Sequence, residues 1–125
     1  MGNSYKLFET RLADNTALAT EGVAVSGTGV YYGNKMSINQ RGDVGFELRF
    51  VGTAAGVLTF WFSDMDNPSV ANDTDWIQDD SWTPTNPAGA DLKVKYARDG
   101  IKGRWARIKY VNASGSGTLY GREGK

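Results

Sequence analysis

The sequence predicts an all-β fold, a single-domain β-sandwich or jelly roll of about eight antiparallel strands. Three observations carry that expectation. Apolar and polar residues alternate at a period of two, and no long stretch keeps the helical period. Glycine-containing turns separate the alternating runs. The apolar faces are also too many for one sheet to bury, so two layers must pack together.

The expected strands span 5–10, 22–26, 29–32, 35–39, 44–51, 57–63, 91–97, 104–111 and 117–121. In 44–51, Val44, Phe46, Leu48 and Phe50 share one face, with Glu47 and Arg49 opposite. The run from Val57 to Phe62 is apolar on both faces apart from Thr59, which predicts a strand covered on both sides. Leu92, Val94 and Tyr96 oppose Lys93 and Lys95. Ala106, Ile108 and Tyr110 oppose Trp105, Arg107 and Lys109. The charged face of such a strand must meet water or a partner. Turns are expected at Gly27-Thr28-Gly29, Arg41-Gly42-Asp43, Thr53-Ala54-Ala55-Gly56, Asp99-Gly100 and Ser114-Gly115-Ser116-Gly117.

With 125 residues the chain fits one domain, 1–125, large enough to fold without a staple. Residues 1–19 alternate poorly and are expected to extend as an N-terminal arm. Residues 64–89 form the longest irregular stretch. It holds all three prolines and both Trp76 and Trp82, and those tryptophans predict an ordered loop. The sequence contains no histidine and no cysteine. Imidazole proton transfer, thiolate nucleophiles, disulfides and ordinary zinc sites therefore drop out, and no cofactor is expected. Fourteen basic residues balance fourteen acidic ones, which argues against general nucleic-acid binding. No stretch has the length of a membrane span or the apolar core of a signal peptide, so synthesis in a cytoplasm is expected.

The charge is unevenly spread. Six acids lie between positions 64 and 80 (Asp64, Asp66, Asp73, Asp75, Asp79, Asp80), without a base. From Lys93 onward nine bases face two acids. One copy's acidic loop could thus meet another copy's basic strand, the alternative being two solvated surfaces. The loop opens like a calcium site, with Asp64, Asp66 and a twelfth-position Asp75. Pro68 and Ser69 then spoil the turn such a site needs. Adjacent Asp79 and Asp80 are a weak glycosidase signal, since on a strand they face opposite ways. Four tryptophans with nearby acids could stack on sugar rings, although core packing is the commoner use of tryptophan. Arg41-Gly42-Asp43 spells an adhesion tripeptide but also suits a turn. Two glycosylation patterns, at Asn72 and Asn112, carry no weight without a secretion signal.

The run Gly103-Arg104-Trp105-Ala106-Arg107-Ile108-Lys109-Tyr110-Val111-Asn112-Ala113-Ser114-Gly115-Ser116-Gly117-Thr118-Leu119 resembles the last two strands of small β-sandwich proteins from tailed-bacteriophage structural gene clusters. The run Gly56-Val57-Leu58-Thr59-Phe60-Trp61-Phe62-Ser63-Asp64, followed by Asp75-Trp76, is similar to another strand of the same proteins. The resemblance is to head decoration (cement, or auxiliary capsid) proteins of the small jelly-roll type. It implies a non-enzymatic virion component on the capsid exterior, bridging neighbouring major capsid protein subunits as a homodimer or homotrimer. It brings no catalytic residue. A tail or baseplate accessory module, or a carbohydrate-binding host-recognition module, is the alternative. The residues expected at a capsid or subunit contact are Lys93, Lys95, Arg104, Arg107, Lys109, Asp64, Asp66, Asp73, Asp75 and Trp76.

Overall fold

The computed structural model describes residues 4–11 and 17–124. Among them are the strands β1 (Ser4–Lys6), β2 (Glu9–Arg11), β3 (Ala17–Glu21), β4 (Val23–Ser26), β5 (Val30–Tyr32), β6 (Met36–Ser37), β7 (Val44–Gly52), β8 (Ala55–Ser63), β9 (Ile77–Gln78), β10 (Leu92–Arg98), β11 (Trp105–Ser114) and β12 (Ser116–Gly124). Ten of these form two five-stranded antiparallel sheets, and β2 pairs with β3 as a separate ribbon. One 3-10 turn, Asp73–Asp75, sits between β8 and β9.

Each sheet has four strand positions. In the first, β7 lies between β10 and β12, and the far edge of β12 takes β4 at 116–119 and β1 at 122–124. In the second, β8 lies between β9 and β11, and the far edge of β11 takes β6 at 105–106 and β5 at 109–111. The chain passes from sheet to sheet: β4 in the first, β5 and β6 in the second, β7 back, β8 and β9 across, β10 back, β11 across and β12 back beside β4. That path is the two interlocked Greek keys of a jelly roll. The expected count of about eight becomes ten because one edge position of each sheet is filled by two short strands in succession.

The inward residues of β7 and β8 meet at the centre. The Phe46 and Phe60 rings stack with centroids 6.1 Å apart, and Trp82 stands edge-on to both. Trp82 thereby anchors the segment that leads from β9 to β10. Tyr110 adds its ring against Phe50 at 4.9 Å. Aromatic pairs at these separations add to simple area burial.

Four sequence expectations change. Residues 4–8 are not an arm: β1 pairs with β12, and Leu7 and Phe8 are each 1% exposed in the core. The space they fill is left by Gly121, where a Cβ would lie 2.8 Å from the Phe8 ring. Of the rest of the expected arm, 1–3 and 12–16 lie outside the described residues. The expected strand 5–10 breaks into β1 and β2 as the chain turns those two side chains inward. β8 is not covered on both faces along its length, since Val57 is 51% exposed. The short β9 inside the 64–89 stretch has only two residues, too few for any period to register.

Candidate functional site

On β11 the alternation sends Ala106, Ile108 and Tyr110 into the core and Trp105, Arg107 and Lys109 outward, as the sequence predicts. Outward does not mean exposed here. Arg107 has no accessible surface. The segment 64–76 folds back over this part of the second sheet and closes it.

The guanidinium of Arg107 sits among three aromatic rings. Its central carbon lies 4.9 Å from the Tyr32 centroid, 4.8 Å from Trp61 and 5.1 Å from Trp76. Tyr32 comes from β5 and Trp61 from β8, the strands on either side of β11. Trp76 comes from the loop. Arg107 donates to the Val70 carbonyl and, at 2.5 Å, to Asp73 Oδ1. Lys109 donates to Asp73 Oδ2 at 2.6 Å, so one carboxylate bridges two cations. The Arg107 Nε is buried without a hydrogen-bond partner. It lies against ring faces, which attract a cation electrostatically.

The loop is built to hold that arrangement. Asp75 Oδ2 accepts from the Ser69 backbone N–H at 2.8 Å, and Trp76 Nε1 donates to the Ser69 carbonyl at 2.8 Å. Asn72 caps the 3-10 turn through the Thr74 N–H. Asp75 is therefore a turn-former rather than a metal ligand. Asp64 and Asp66 point to Arg104 in exposed ion pairs. No cluster of three or more metal-ligating side chains forms among the described residues. Arg98 reaches across to Asp79, whose carboxylate also accepts from the Ser81 side chain at 2.7 Å.

Acidic loop and basic strand thus meet within one chain, where the sequence left contact between copies or solvation as the options. The expected contact residues also separate. Arg104, Arg107, Lys109, Asp64, Asp66, Asp73, Asp75 and Trp76 gather on the outer face of the second sheet. Lys93 and Lys95 lie exposed on β10 of the first sheet, on the opposite side of the sandwich. Tyr32, Trp61 and Arg98 complete the ion-pair and aromatic arrangement without having been foreseen. The signal for Trp61 was its outward position in β8, but its partner follows only from the register Arg107–Trp61.

The four tryptophans are engaged within the chain rather than set out as a coplanar platform of free rings. Trp76 is buried, Trp82 packs in the core, Arg107 and Lys109 cover Trp61, and Lys35 lies 4.7 Å over Trp105. Arg41-Gly42-Asp43 is a turn. Asn39 Oδ1 accepts from the backbone N–H of Arg41 and of Asp43, and Gly42 has a φ of 78°.

No protein-family model and no curated protein matches the chain.

Partial burial pushes the Asp73 carboxyl up, but hydrogen bonds and charge from Lys109 and Arg107 outweigh it and hold the group below its ordinary pKa. Burial likewise raises Asp79, and hydrogen bonds from Ser81 and Arg98 reverse the sign. A lowered carboxylate contributes stability above its unfolded pKa and loses it as pH falls through the folded value. Acid destabilisation should therefore set in below about pH 4. Thermal melts from neutral pH downward check this. Asp73→Asn and Asp79→Asn should each flatten the acid limb, and an undiminished limb in the double variant would place the sensitivity elsewhere.

Proposed function

We propose that this jelly roll is a non-enzymatic structural protein of a tailed-phage virion, one that decorates the capsid and bridges neighbouring major capsid protein subunits. The observation that carries this reading is the fate of the loop carboxylates. Glycoside hydrolysis needs a carboxylic acid with a raised pKa facing a second carboxylate. Here Asp73 and Asp79 are lowered and tied to bases. The chain spends its charged chemistry on fastening a loop to a sheet. What it offers outward is two surfaces, an apolar patch on the second sheet and a charged face on the first, and a bridge needs two surfaces. The self-contact of a dimer or trimer falls to the second sheet, where Val30, Val111 and Val57 lie side by side in register, 47%, 37% and 51% exposed. The lattice contact falls to the first sheet.

The resemblance of 103–119 and 56–64 to phage decoration proteins supports the same reading. A component that binds only the assembled shell stabilises that shell by mass action, and many copies gain from simultaneous engagement. Purified protein mixed with undecorated expanded capsids of its phage should co-sediment and raise their melting temperature. Capsids that neither bind the protein nor gain thermal resistance would reject the proposal.

One observation favours the host-recognition reading instead. A cleft of about 530 Å³ opens between β5 and the loop, with Tyr31, Tyr32, Val30 and Asn67 in its wall. Selective binding on a glycan array, lost on Tyr31→Ala, would move the assignment to a tail or baseplate module.

A further inference from the structure

The outward face of the first sheet carries a charge pattern that the fold alone does not call for. In the register of β7 and β10, Arg49 stands directly opposite Lys93. Like charges in directly opposed cross-strand positions destabilise a sheet. Two residues along, Lys95 is opposite Glu47, and Glu47 is opposite Arg122 on β12. Among the paired positions Glu47 is the acid set between Lys95 and Arg122; Asp91, two residues before Lys93, accepts from the Gly52 backbone N–H. Tyr120, opposite Arg49 on β12, holds the Arg49 guanidinium 4.4 Å from its ring centroid. That contact fixes the position of a side chain that would otherwise sweep through solvent. A shallow depression of about 220 Å³ lies among Glu47, Arg49, Lys93, Tyr120 and Arg122.

The acids of the 64–80 segment that form ion pairs form them away from this face. Asp64, Asp66 and Asp73 are paired with β11 or Arg104, and Asp79 with Arg98. Departures from locally optimal charge placement are expected where a sequence serves a contact rather than its own fold.

We propose that this face, centred on Arg49, Lys93 and Lys95, is the docking surface for an acidic protein surface, the carboxylates of the partner lying between Arg49 and Lys93. The identity of that partner as a capsid lattice rests on the functional reading above; the chemistry of the face does not. A carboxylate placed there relieves the opposed like charges and takes a preoriented guanidinium fork. A nucleic acid is the poorer fit. Duplex binders commonly make about 6–10 phosphate contacts, whereas this cluster is small, is interrupted by Glu47, and belongs to a chain of zero formal net charge.

Poly-L-glutamate is the probe, titrated against the whole chain at about 50 mM salt, where screening is weak. Lys93→Glu should weaken binding by about tenfold without lowering the thermal melt, since it sets a carboxylate opposite Arg49, and Lys93→Glu/Lys95→Glu, which also sets a carboxylate opposite Glu47, should abolish binding with a melt near that of wild type. Lys102→Glu makes the same charge change at an exposed site off this face and should leave binding within about twofold. Binding that ignores Lys93 and Lys95, or falls equally with Lys102→Glu, overturns the proposal. So does tighter binding of duplex DNA than of poly-L-glutamate. No binding of the polymer at all would reduce Lys93 and Lys95 to guards against edge-to-edge pairing of β10. Capsid co-sedimentation of the same variants separates the two ideas. Wild-type capsid binding that survives the double substitution removes this surface and keeps the function. Polymer binding without capsid binding does the reverse.

Discussion

Arg107→Ala should lower the stability of the fold by about 3–5 kcal/mol, a large fraction of what a domain of this size has to lose. Three losses combine. The side chain leaves a void among Tyr32, Trp61 and Trp76. The Val70 carbonyl and Asp73 lose a charged donor. The loop loses the group on which Trp76 rests, so 64–76 should open while the rest of the sandwich stays intact. Hydrogen exchange in the loop and cleavage by a protease specific for aspartate, which has several sites there, measure the opening. Two further variants divide the effect. Arg107→Lys keeps the charge but not the planar fork, and should recover only part of the loss. Arg107→Met keeps most of the volume and removes the buried charge together with its unpaired Nε. A buried ion replaced by a well-packed apolar group is often tolerated, so Met should be more stable than Ala. Loop protection equal to wild type in the Ala variant would show that the aromatic and ionic contacts of Arg107 hold nothing in place.

Asn112→Ala should cost about 3 kcal/mol, through hydrogen bonds rather than volume. Asn112 has no accessible surface. Its Oδ1 accepts from the Tyr110 hydroxyl at 2.6 Å, and its Nδ2 donates to the Gly27 carbonyl at 2.8 Å and to the Gly115 carbonyl at 3.1 Å. One amide thus ties the β4–β5 turn to the β11–β12 turn, at the point where the β8–β11 register shifts. Alanine strands a buried hydroxyl and leaves both carbonyls short of a donor. Asn112→Asp is the sharper variant. It keeps the shape, turns a double donor into an acceptor and buries a carboxylate. Burial should raise its folded pKa, so its penalty should grow as pH rises through the unfolded value near 4. Denaturant titrations of both variants at pH 4 and pH 7 check the size and the pH trend. A cost under about 1 kcal/mol for Asn112→Ala would mean that the two turns do not depend on this amide.

The two predictions concern residues whose surroundings the alternation did not give, and for Asn112, beyond the expected strand 104–111, it gave no direction either. Period two placed Arg107 and Lys109 on the side of β11 away from the core. The loop that covers them starts some forty residues earlier in the chain, and no local pattern links the two. Asn112 reads in sequence as a turn residue in an Asn-Ala-Ser-Gly stretch. Its burial follows from the convergence of two turns on it, one of them 85 residues away. The same limit explains the expected arm. Leu7 and Phe8 belong to a stretch with poor alternation, and Gly121 gives no sign in sequence of the space it leaves for them. Lys93 and Lys95 are the opposite case. Among the described residues no segment folds over this face of β10, so the solvent-facing position that the pattern assigned them is the one they occupy.

Strand direction, turn placement and the two-layer all-β architecture were determined by the sequence alone, because side-chain alternation and turn chemistry act between residues a few positions apart. The tertiary structure alone decided which outward face is covered and which stays open. It did so by pairing Asp73 with Arg107 and Lys109, and by leaving Arg49 opposite Lys93. The reason is physical: the energy of an ion pair or a like-charge contact depends on distance in space, and the fold sets that distance.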